Sequence, residues 1–296
     1  MALKSIASYK AKLAFAEGGI NLLTDTLKVI LMRSGFSFDP DKHGEKKNVI
    51  NTFPESAASM TIQVSDNSIN YTGGGFDTAG FVVGNKIKFQ GSSSFTGTYT
   101  IAAITSTKIT VSEDITGSDE AASMQVKTVE ELTGGYGYTQ DAKTLTNKAV
   151  ALAAITITGV GNISFAASSK TITYTVGGII ITALKPGDSI TISGTSGNNG
   201  AKTVASITDT TITVNETLTD ESNTSGTITG PKIAQMTCDN ADWTAVGGTI
   251  GPMPCALIYD DTSVNKTIIG EFHFGSEQSA VDGVTFTVAG IKVRIS

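Results

Sequence analysis

The stretch I-T-S-T-K-I-T-V-S-E at residues 104–113 returns 103 positions later as I-T-D-T-T-I-T-V-N-E at residues 207–216. The same offset aligns residues 66–126 with residues 169–229 without a gap, giving 20 identities over 61 positions with the apolar residues in phase. Chance does not produce such agreement at one fixed offset. The chain therefore contains two copies of one module.

Both copies have the pattern of short strands separated by turns. In the first copy, Ile87 and Phe89 alternate with lysines, a Ser/Gly turn follows, and apolar residues resume at Tyr99 and Ile101. In the second copy, N-N-G at residues 198–200 is a strong turn signal. About five strands in roughly 60 residues predict one small β-barrel or β-sandwich for each copy.

The sequence before the first copy predicts a helix and a central strand. K-S-I-A-S-Y-K-A-K-L-A-F-A at residues 4–16 has helical periodicity and is followed by Gly18 and Gly19, which favour a helix end. The predicted apolar face of this helix consists of Ile6, Tyr9, Leu13 and Ala16. A short strand is predicted at residues 20–23, and the apolar run at residues 27–32 predicts a strand covered on both faces.

After the second copy, the pattern predicts a series of strands. Apolar residues favour a strand over 255–259, a turn over 260–266, a second strand over 267–274 and a loop over 275–283. Alternating apolar residues near the end of the chain predict two further strands.

These patterns predict an all-β protein in which one domain is interrupted twice. The host domain is predicted to be an antiparallel β-sandwich with one N-terminal helix, made from residues 1–58, 129–154 and 231–296. The two homologous insert modules are residues 59–128 and 155–230. Loop closure grows only slowly with loop length, so a module whose ends lie close together is tolerated at a loop tip.

Composition excludes several kinds of partner. The chain of 296 residues has a formal net charge of −6 and 16% charged residues. Nucleic acids and anionic membranes attract clusters of Lys and Arg, so we expect neither as a partner. The longest apolar run, residues 149–157, is too short to span a membrane. Because lysines interrupt any N-terminal secretion signal, we expect folding in a cytosol.

The polar residues do not assemble into a recognisable catalytic or metal site. His43 lies in a charged loop and His273 on the polar face of a predicted strand, and each is interpreted as a bystander. Asp260 and Asp261 fit a hairpin turn, where Asp hydrogen-bonds its own backbone. No spacing supplies the three or four ligands of a metal site. We therefore expect no catalytic residues, no cofactor and no metal, and a protein that is not an enzyme.

The glycine clusters resemble phosphate-binding loops only superficially. The cluster at residues 73–75 has no following Gly-Lys-Ser/Thr, and G-V-G-N-I-S at residues 159–164 lacks a third glycine and a following helix. Both are predicted to be turns.

Two aromatic residues and two cysteines leave alternatives open. Tyr136 and Tyr138, flanked by glycines, fit either a sugar-binding platform or core and interface contacts, which are the commoner role. Cys238 and Cys255 are predicted to be free buried thiols, with a disulfide or a reactive thiol as the alternative.

Four stretches of the predicted host carry a family resemblance. They are I-N-L-L-T-D-T-L-K-V-I-L-M (20–32), E-L-T-G-G-Y-G-Y-T-Q-D-A-K-T-L (131–145), C-D-N-A-D-W-T-A-V-G-G-T-I-G-P with A-L-I-Y-D-D-T (238–252 and 256–262), and I-I-G-E-F-H-F-G-S ahead of D-G-V-T-F-T-V (268–276 and 282–288). In this order they resemble a family of small virion structural proteins of tailed bacteriophages. The family's host domain is usually uninterrupted, and the two inserts bear only a looser likeness to modules that decorate phage structural proteins.

The resemblance implies a structural role in a particle. It implies a capsid decoration or cement protein, made in the host cytoplasm and present in many copies on the virion, as a homo-oligomer bound to the major capsid protein or other virion structural proteins. A tail, neck or fibre component is the alternative, and a module that binds glycans of the host surface is another. We expect residues 1–23 to lie against the shell and the inserts to face outward.

Overall fold

The structure is a computed structural model that describes residues 4–7, 9–141, 143–159, 161–176 and 184–295. The protein is all-β, as predicted, with one α-helix, α1 (Tyr9–Ala16), and two short 3-10 helices, Lys46–Asn48 and Val64–Asp66. The strands are β1 (Lys4–Ala7), β2 (Leu27–Leu31), β3 (Thr52–Gln63), β4 (Ser68–Asn70), β5 (Lys86–Gln90), β6 (Tyr99–Ile104), β7 (Lys108–Val111), β8 (Glu120–Thr128), β9 (Lys143–Thr144), β10 (Ala149–Thr158), β11 (Ile163–Ala166), β12 (Thr171–Tyr174), β13 (Ser189–Ser193), β14 (Gly200–Ile207), β15 (Thr211–Val214), β16 (Glu221–Thr224), β17 (Thr227–Thr237), β18 (Ala241–Thr244), β19 (Ile250–Asp260), β20 (Ile268–Ala280), β21 (Thr285–Val288) and β22 (Lys292–Ile295).

The chain forms two compact units. The first comprises Leu3–Leu145 and Asn240–Ala289, and the second comprises Thr146–Asp239 and Gly290–Ser296. The first unit holds a five-stranded sheet together with the first module. The second unit holds the second module and the last strand, β22.

The five-stranded sheet of the first unit collects strands that are far apart in sequence. Its order is β1-β20-β19-β2-β9, and every neighbouring pair is antiparallel. β2 lies inside the sheet and is almost entirely buried, as its apolar run predicted. A two-stranded ribbon of β18 and β21 packs against this sheet, with Phe286 of the ribbon making an edge contact with Phe274 of β20.

The predicted N-terminal helix is shorter than expected and buries a different face. Residues 4–7 form β1 and pair with β20, so the helix begins only at Tyr9. Ala11 is buried, whereas Leu13 is 58% exposed and Ala16 is also exposed. The side chains of Ile6 and Tyr9 lie outside the described part. The helix ends as predicted, because Gly18 has a positive φ and both Gly18 and Gly19 donate hydrogen bonds to the last turn.

Two other local predictions are corrected. Residues 20–23 form a turn instead of a strand, because the Asn21 side chain accepts hydrogen bonds from the backbone N–H groups of Leu23 and Thr24. Residues 275–280 continue β20 instead of forming a loop, since they extend the pairing with β19 as far as Ile250 and Ala280.

The first module is a closed six-stranded barrel. Its strand order is β3-β4-β7-β6-β5-β8, and β8 closes the barrel by pairing with β3. The core is formed by apolar side chains from every strand, with Phe76 at the centre of an aromatic cluster that includes Phe53, Tyr71 and Phe81.

The second module has the same neighbours in the same order. β12, β15, β14 and β13 pair in succession, and β17 and β10 extend the sheet from β13. The equivalent of β3 is divided into β10 and β11, and the equivalent of β8 is divided into β16 and β17. A separate apolar core fills this module.

Equivalent hydrogen bonds show that the duplication extends to structural detail. Glu113 accepts a hydrogen bond from the Thr100 backbone N–H, and Glu216 accepts one from the Thr203 N–H. Both pairs are related by the offset of 103 residues. Two further hydrogen bonds recur at this offset. The Val82 N–H donates to Asn85 Oδ1, as the Lys185 N–H does to Asp188 Oδ2. The Tyr71 N–H donates to the Thr107 carbonyl oxygen, as the Tyr174 N–H does to that of Thr210.

The gapless alignment is wrong in its last part. Glu120 caps the loop at Ser93, and its structural counterpart Glu221 caps the loop at Ser196, so the offset there is 101 instead of 103. The second copy lacks the equivalent of Gly117 and Ser118. The gapless alignment contains no identities after this point, and this loss of identity is the sequence signal that two residues are missing from the second copy.

Three of the predicted module boundaries lie within strands. The boundaries at 58, 154 and 231 fall inside β3, β10 and β17, because each strand continues without a break. The ends of each module lie close together as predicted. Asn51 and Thr128 are joined by backbone hydrogen bonding in the first unit, and Thr146 and Asp239 are joined in the second.

Candidate functional site

His43 is a buried structural residue. It is 7% exposed and lies against the rings of Phe36 and Phe38. Its Nδ1 accepts a hydrogen bond of 2.9 Å from the backbone N–H of Asp39. Burial lowers the pKa of His43 to about 4, although the carboxylate of Asp39 acts in the opposite direction. This neutral, enclosed imidazole fits the bystander role predicted from the sequence.

The lowered pKa of His43 predicts a specific acid sensitivity. The folded chain keeps His43 neutral, whereas the unfolded chain protonates it below its ordinary pKa of 6.5. The contribution of His43 to the free energy of unfolding is therefore complete above pH 6.5 and is lost as the pH falls toward 4. The loss should reach about 3 kcal/mol. We expect His43→Gln to remove this part of the pH dependence in urea unfolding measured from pH 8 to pH 4. The assignment to His43 would be contradicted if the free energy of unfolding fell equally steeply with pH in both chains below pH 6.5.

The other polar candidates also have structural partners. His273 is partly exposed and lies 3.6 Å from the carboxylate of Glu271. Asp260 is fully buried, and its Oδ1 accepts hydrogen bonds from the backbone of Thr262 and Ser263, which is the turn role predicted for it. Asp261 forms ion pairs with two lysines.

The first glycine cluster forms a turn, since the Gly74 N–H donates to the Tyr71 carbonyl oxygen, whereas residue 160 of the second cluster lies outside the described residues. Gly74 and Gly75 have positive φ values, and a side chain at Gly73 would overlap the ring of Tyr71. A side chain at Gly159 would overlap Ile163. These glycines are required for close packing of the chain with itself.

The cysteines are free, and burial raises the pKa of both thiols. Cys255 is fully buried, whereas Cys238 is only half-buried.

Among the described residues, no group of three or more His, Cys, Asp or Glu side chains could hold a metal ion. None of the helices in the described ranges combines the length and apolar character needed to cross a membrane.

Tyr136 and Tyr138 have different environments, so they do not form a two-ring platform. Tyr138 is buried against Trp243; its hydroxyl donates to Glu131 Oε1 at 2.7 Å and accepts from the Leu31 N–H at 3.0 Å. Burial raises the pKa of Tyr138, as does the adjacent Glu131. Tyr136 is 58% exposed. The core interpretation therefore fits Tyr138, and Tyr136 remains available for contact with a partner.

A tight hairpin turn presents Tyr136. Gly135 and Tyr138 exchange two backbone hydrogen bonds of 2.9 Å, and both Tyr136 and Gly137 have positive φ values. Glycine is required at position 137 because a Cβ there would lie 2.1 Å from the carbonyl oxygen of Thr244. A bulky aromatic residue with positive φ is uncommon and is a hint of function when the surroundings impose it.

Three neighbouring loops at this hairpin carry exposed apolar side chains, which we together name the tip patch. Its side chains are Tyr136, Val246, Val281 and Val284, each about half exposed or more. The loops are held together by backbone hydrogen bonds from Val246 N–H to Tyr136 O and from Gly283 N–H to Ala245 O. Grouped exposed apolar side chains on a rigid support are typical of protein interaction sites.

Sequence patterns gave no signal for the valines of the tip patch. Val281 lies in a predicted loop and Val284 begins a predicted strand, and only the pairing of β18 with β21 brings these residues and Val246 close to Tyr136. The flanking glycines of Tyr136 were the one available signal. No known protein-family model matches this chain, and no curated protein matches it.

Proposed function

We propose that this protein is a structural component of a tailed-bacteriophage virion, most specifically a capsid decoration or cement protein. The observation that carries the proposal is the position of the four resembling stretches. They supply β2, β9, β19 and β20 of one sheet and both strands of the ribbon packed on it. Residues separated by two inserted modules thus meet in a single unit, which supports a common ancestry for the host. The tail, neck or fibre role is the alternative within the same virion.

The tip patch is the docking surface in this proposal. A decoration protein binds a repeated lattice, so modest contacts in each subunit are multiplied over neighbouring copies. Aromatic and apolar side chains held on rigid loops suit such contacts because little conformational freedom is lost on binding. The N-terminal segment up to residue 23 is the alternative docking surface, and within its described part the exposed leucines are Leu13 and Leu23.

Changing the tip patch should abolish incorporation into particles. We expect Tyr136→Asn combined with Val246→Thr to lower the affinity for particles that lack the protein by at least about tenfold, since central aromatic contacts dominate interface energies. Asn tolerates positive φ, so the fold is retained. Co-sedimentation of the purified chain with particles provides the measurement.

Matched variants separate the two docking surfaces. Leu13→Ser with Leu23→Ser should bind like the unchanged chain, and so should a chain in which a short linker replaces residues 52–127. If the leucine variant alone loses binding, the N-terminal segment is the docking surface. Electron microscopy of virions with a label at residue 296 distinguishes head from tail, and absence from purified virions would refute the proposed function.

A further inference from the structure

A lysine, an aspartate and a glutamate converge in the first unit at the junction between the sheet and the barrel. Lys46 forms an ion pair with Asp141 Oδ2. The backbone N–H of Asp141 donates to Glu131 Oε1 at 2.7 Å. The Lys46 and Asp141 side chains both act electrostatically on the Glu131 carboxyl. Asp141 therefore connects the three groups, because its side chain pairs with Lys46 and its backbone N–H donates to Glu131.

The surroundings of Glu131 and Lys46 exclude most solvent, whereas the Asp141 side chain is 31% exposed. Glu131 is 6% exposed, and the Lys46 side chain is 15% exposed. The Tyr259 hydroxyl donates to Asp141 Oδ1, and the Lys46 ammonium group lies 5.1 Å from the centre of the Tyr259 ring. Asp141 has a positive φ of 56°, in the left-handed region that aspartate adopts more readily than most residues.

We propose that Lys46 and Asp141 condense to form an intramolecular isopeptide bond, with Glu131 as the proton-transfer residue and Tyr259 as the hydrogen-bond donor to the Asp141 carbonyl oxygen. In this step a proton passes from the Lys46 ammonium group to Asp141 within the ion pair, and the neutral Lys46 Nζ then attacks Cγ of the Asp141 carboxyl group. Glu131 takes a proton from the amine and delivers it to the departing hydroxyl. The C–N bond forms, the C–O bond breaks, and one water molecule leaves, without oxidation or reduction.

Burial suits Glu131 for this role. Removal from water raises the pKa of the Glu131 carboxyl above its usual range, against the effect of its hydrogen bond from Tyr138. A carboxyl group with a raised pKa accepts a proton more readily than an ordinary carboxyl group, which suits it to pass a proton between two neighbouring groups. The Lys266 and Asp261 pair differs in its surroundings, because the Lys266 side chain is 44% exposed and Asp261 is shared with a second lysine, Lys28.

The bond would join the chain segment before the first module to the segment after it. Lys46 and Asp141 are 95 residues apart and flank β3 to β8, the strands of the barrel. A covalent link there closes the whole module into a loop and limits the freedom of the unfolded chain. The barrel would then remain attached to the sheet even after a backbone cleavage within the module.

Mass spectrometry of the intact, purified chain tests the bond. We expect a mass lower than that of the sequence by one water molecule. Lys46→Arg preserves the positive charge but should have the full sequence mass, and so should Glu131→Gln. Lys266→Arg is the matched control and should still show the loss. A wild-type chain with the full mass after prolonged incubation at several pH values overturns the proposal, as does a loss of water that persists in Lys46→Arg.

A cleavage experiment distinguishes the crosslink from other dehydrations. A specific protease site is inserted between Gly117 and Ser118, where the second module shows that the loop tolerates a change in length. After cleavage, the two fragments should stay joined under reducing, denaturing conditions, and should separate in the Lys46→Arg chain. A succinimide at Asp282-Gly283 would also remove water but would not join the fragments, so separation of the wild-type fragments overturns the proposal.

Discussion

Replacing Arg33 by methionine should destabilise the first unit by about 3–5 kcal/mol, because it leaves the Glu130 carboxylate buried without its charged partner. Glu130 Oε2 lies 2.8 Å from Arg33 Nη2, and the Glu130 side chain is only 3% exposed. Its other oxygen accepts a hydrogen bond from the backbone of Lys86 in β5. Methionine keeps much of the packing of the arginine stem, so the loss reports mainly the charge.

The two partners of this pair should respond unequally. Arg33 is 25% exposed and can reach water, so Glu130→Gln should destabilise the chain less than Arg33→Met. Combining the two changes should recover most of the loss, because no buried charge then remains. Urea unfolding of the single and double variants measures the difference.

The control is Lys108→Met, which breaks an exposed ion pair with Asp66 and should change stability by less than about 1 kcal/mol. Equal effects at Arg33 and Lys108 would contradict the prediction.

Strands and turns of the modules could be predicted because their signals are local. Alternation at Ile87 and Phe89, and the turn glycines, fix strand positions without reference to distant residues, and β5 and β6 begin within a residue of the expected places. The helix face could not be predicted in the same way. Residues 4–7 pair with β20, and this tertiary hydrogen bonding overrides a helical pattern that would otherwise extend from residue 4.

The candidate sites depended on contacts between distant residues. Glu130 and Glu131 are adjacent charges in the sequence, and a solvated pair would be the ordinary interpretation. In the structure both are buried, one against Arg33 and the other beside Tyr138. Nothing in the local sequence shows that Asp141 meets Lys46 across the first module. Only the closure of the barrel, with its ends joined at Asn51 and Thr128, brings these segments together.

The duplication provides a matched pair of core positions whose replacement should affect separate units. Ile87 and Ile190 are equivalent, and each is fully buried, in the first and second module respectively. We expect Ile87→Ala and Ile190→Ala each to cost about 2–5 kcal/mol through lost burial and the cavity left behind. Exposed neighbours provide the controls: Lys88→Ala and Thr191→Ala should change stability by less than about 0.5 kcal/mol.

Hydrogen exchange followed by mass spectrometry can assign each loss to its unit, because peptides from the two modules differ in sequence. Ile190→Ala should reduce protection across β12 to β17 and leave the barrel of the first module unchanged, since the two cores share no residues. Ile87→Ala should reduce protection in the barrel and also in the five-stranded sheet. The buried contacts of Glu130 with Arg33 and with the Lys86 backbone connect that sheet to β5, so the two parts should unfold together. Loss of protection in the barrel alone would show that the first unit consists of two independently unfolding parts, and loss in both modules from either variant would contradict the separation of the cores.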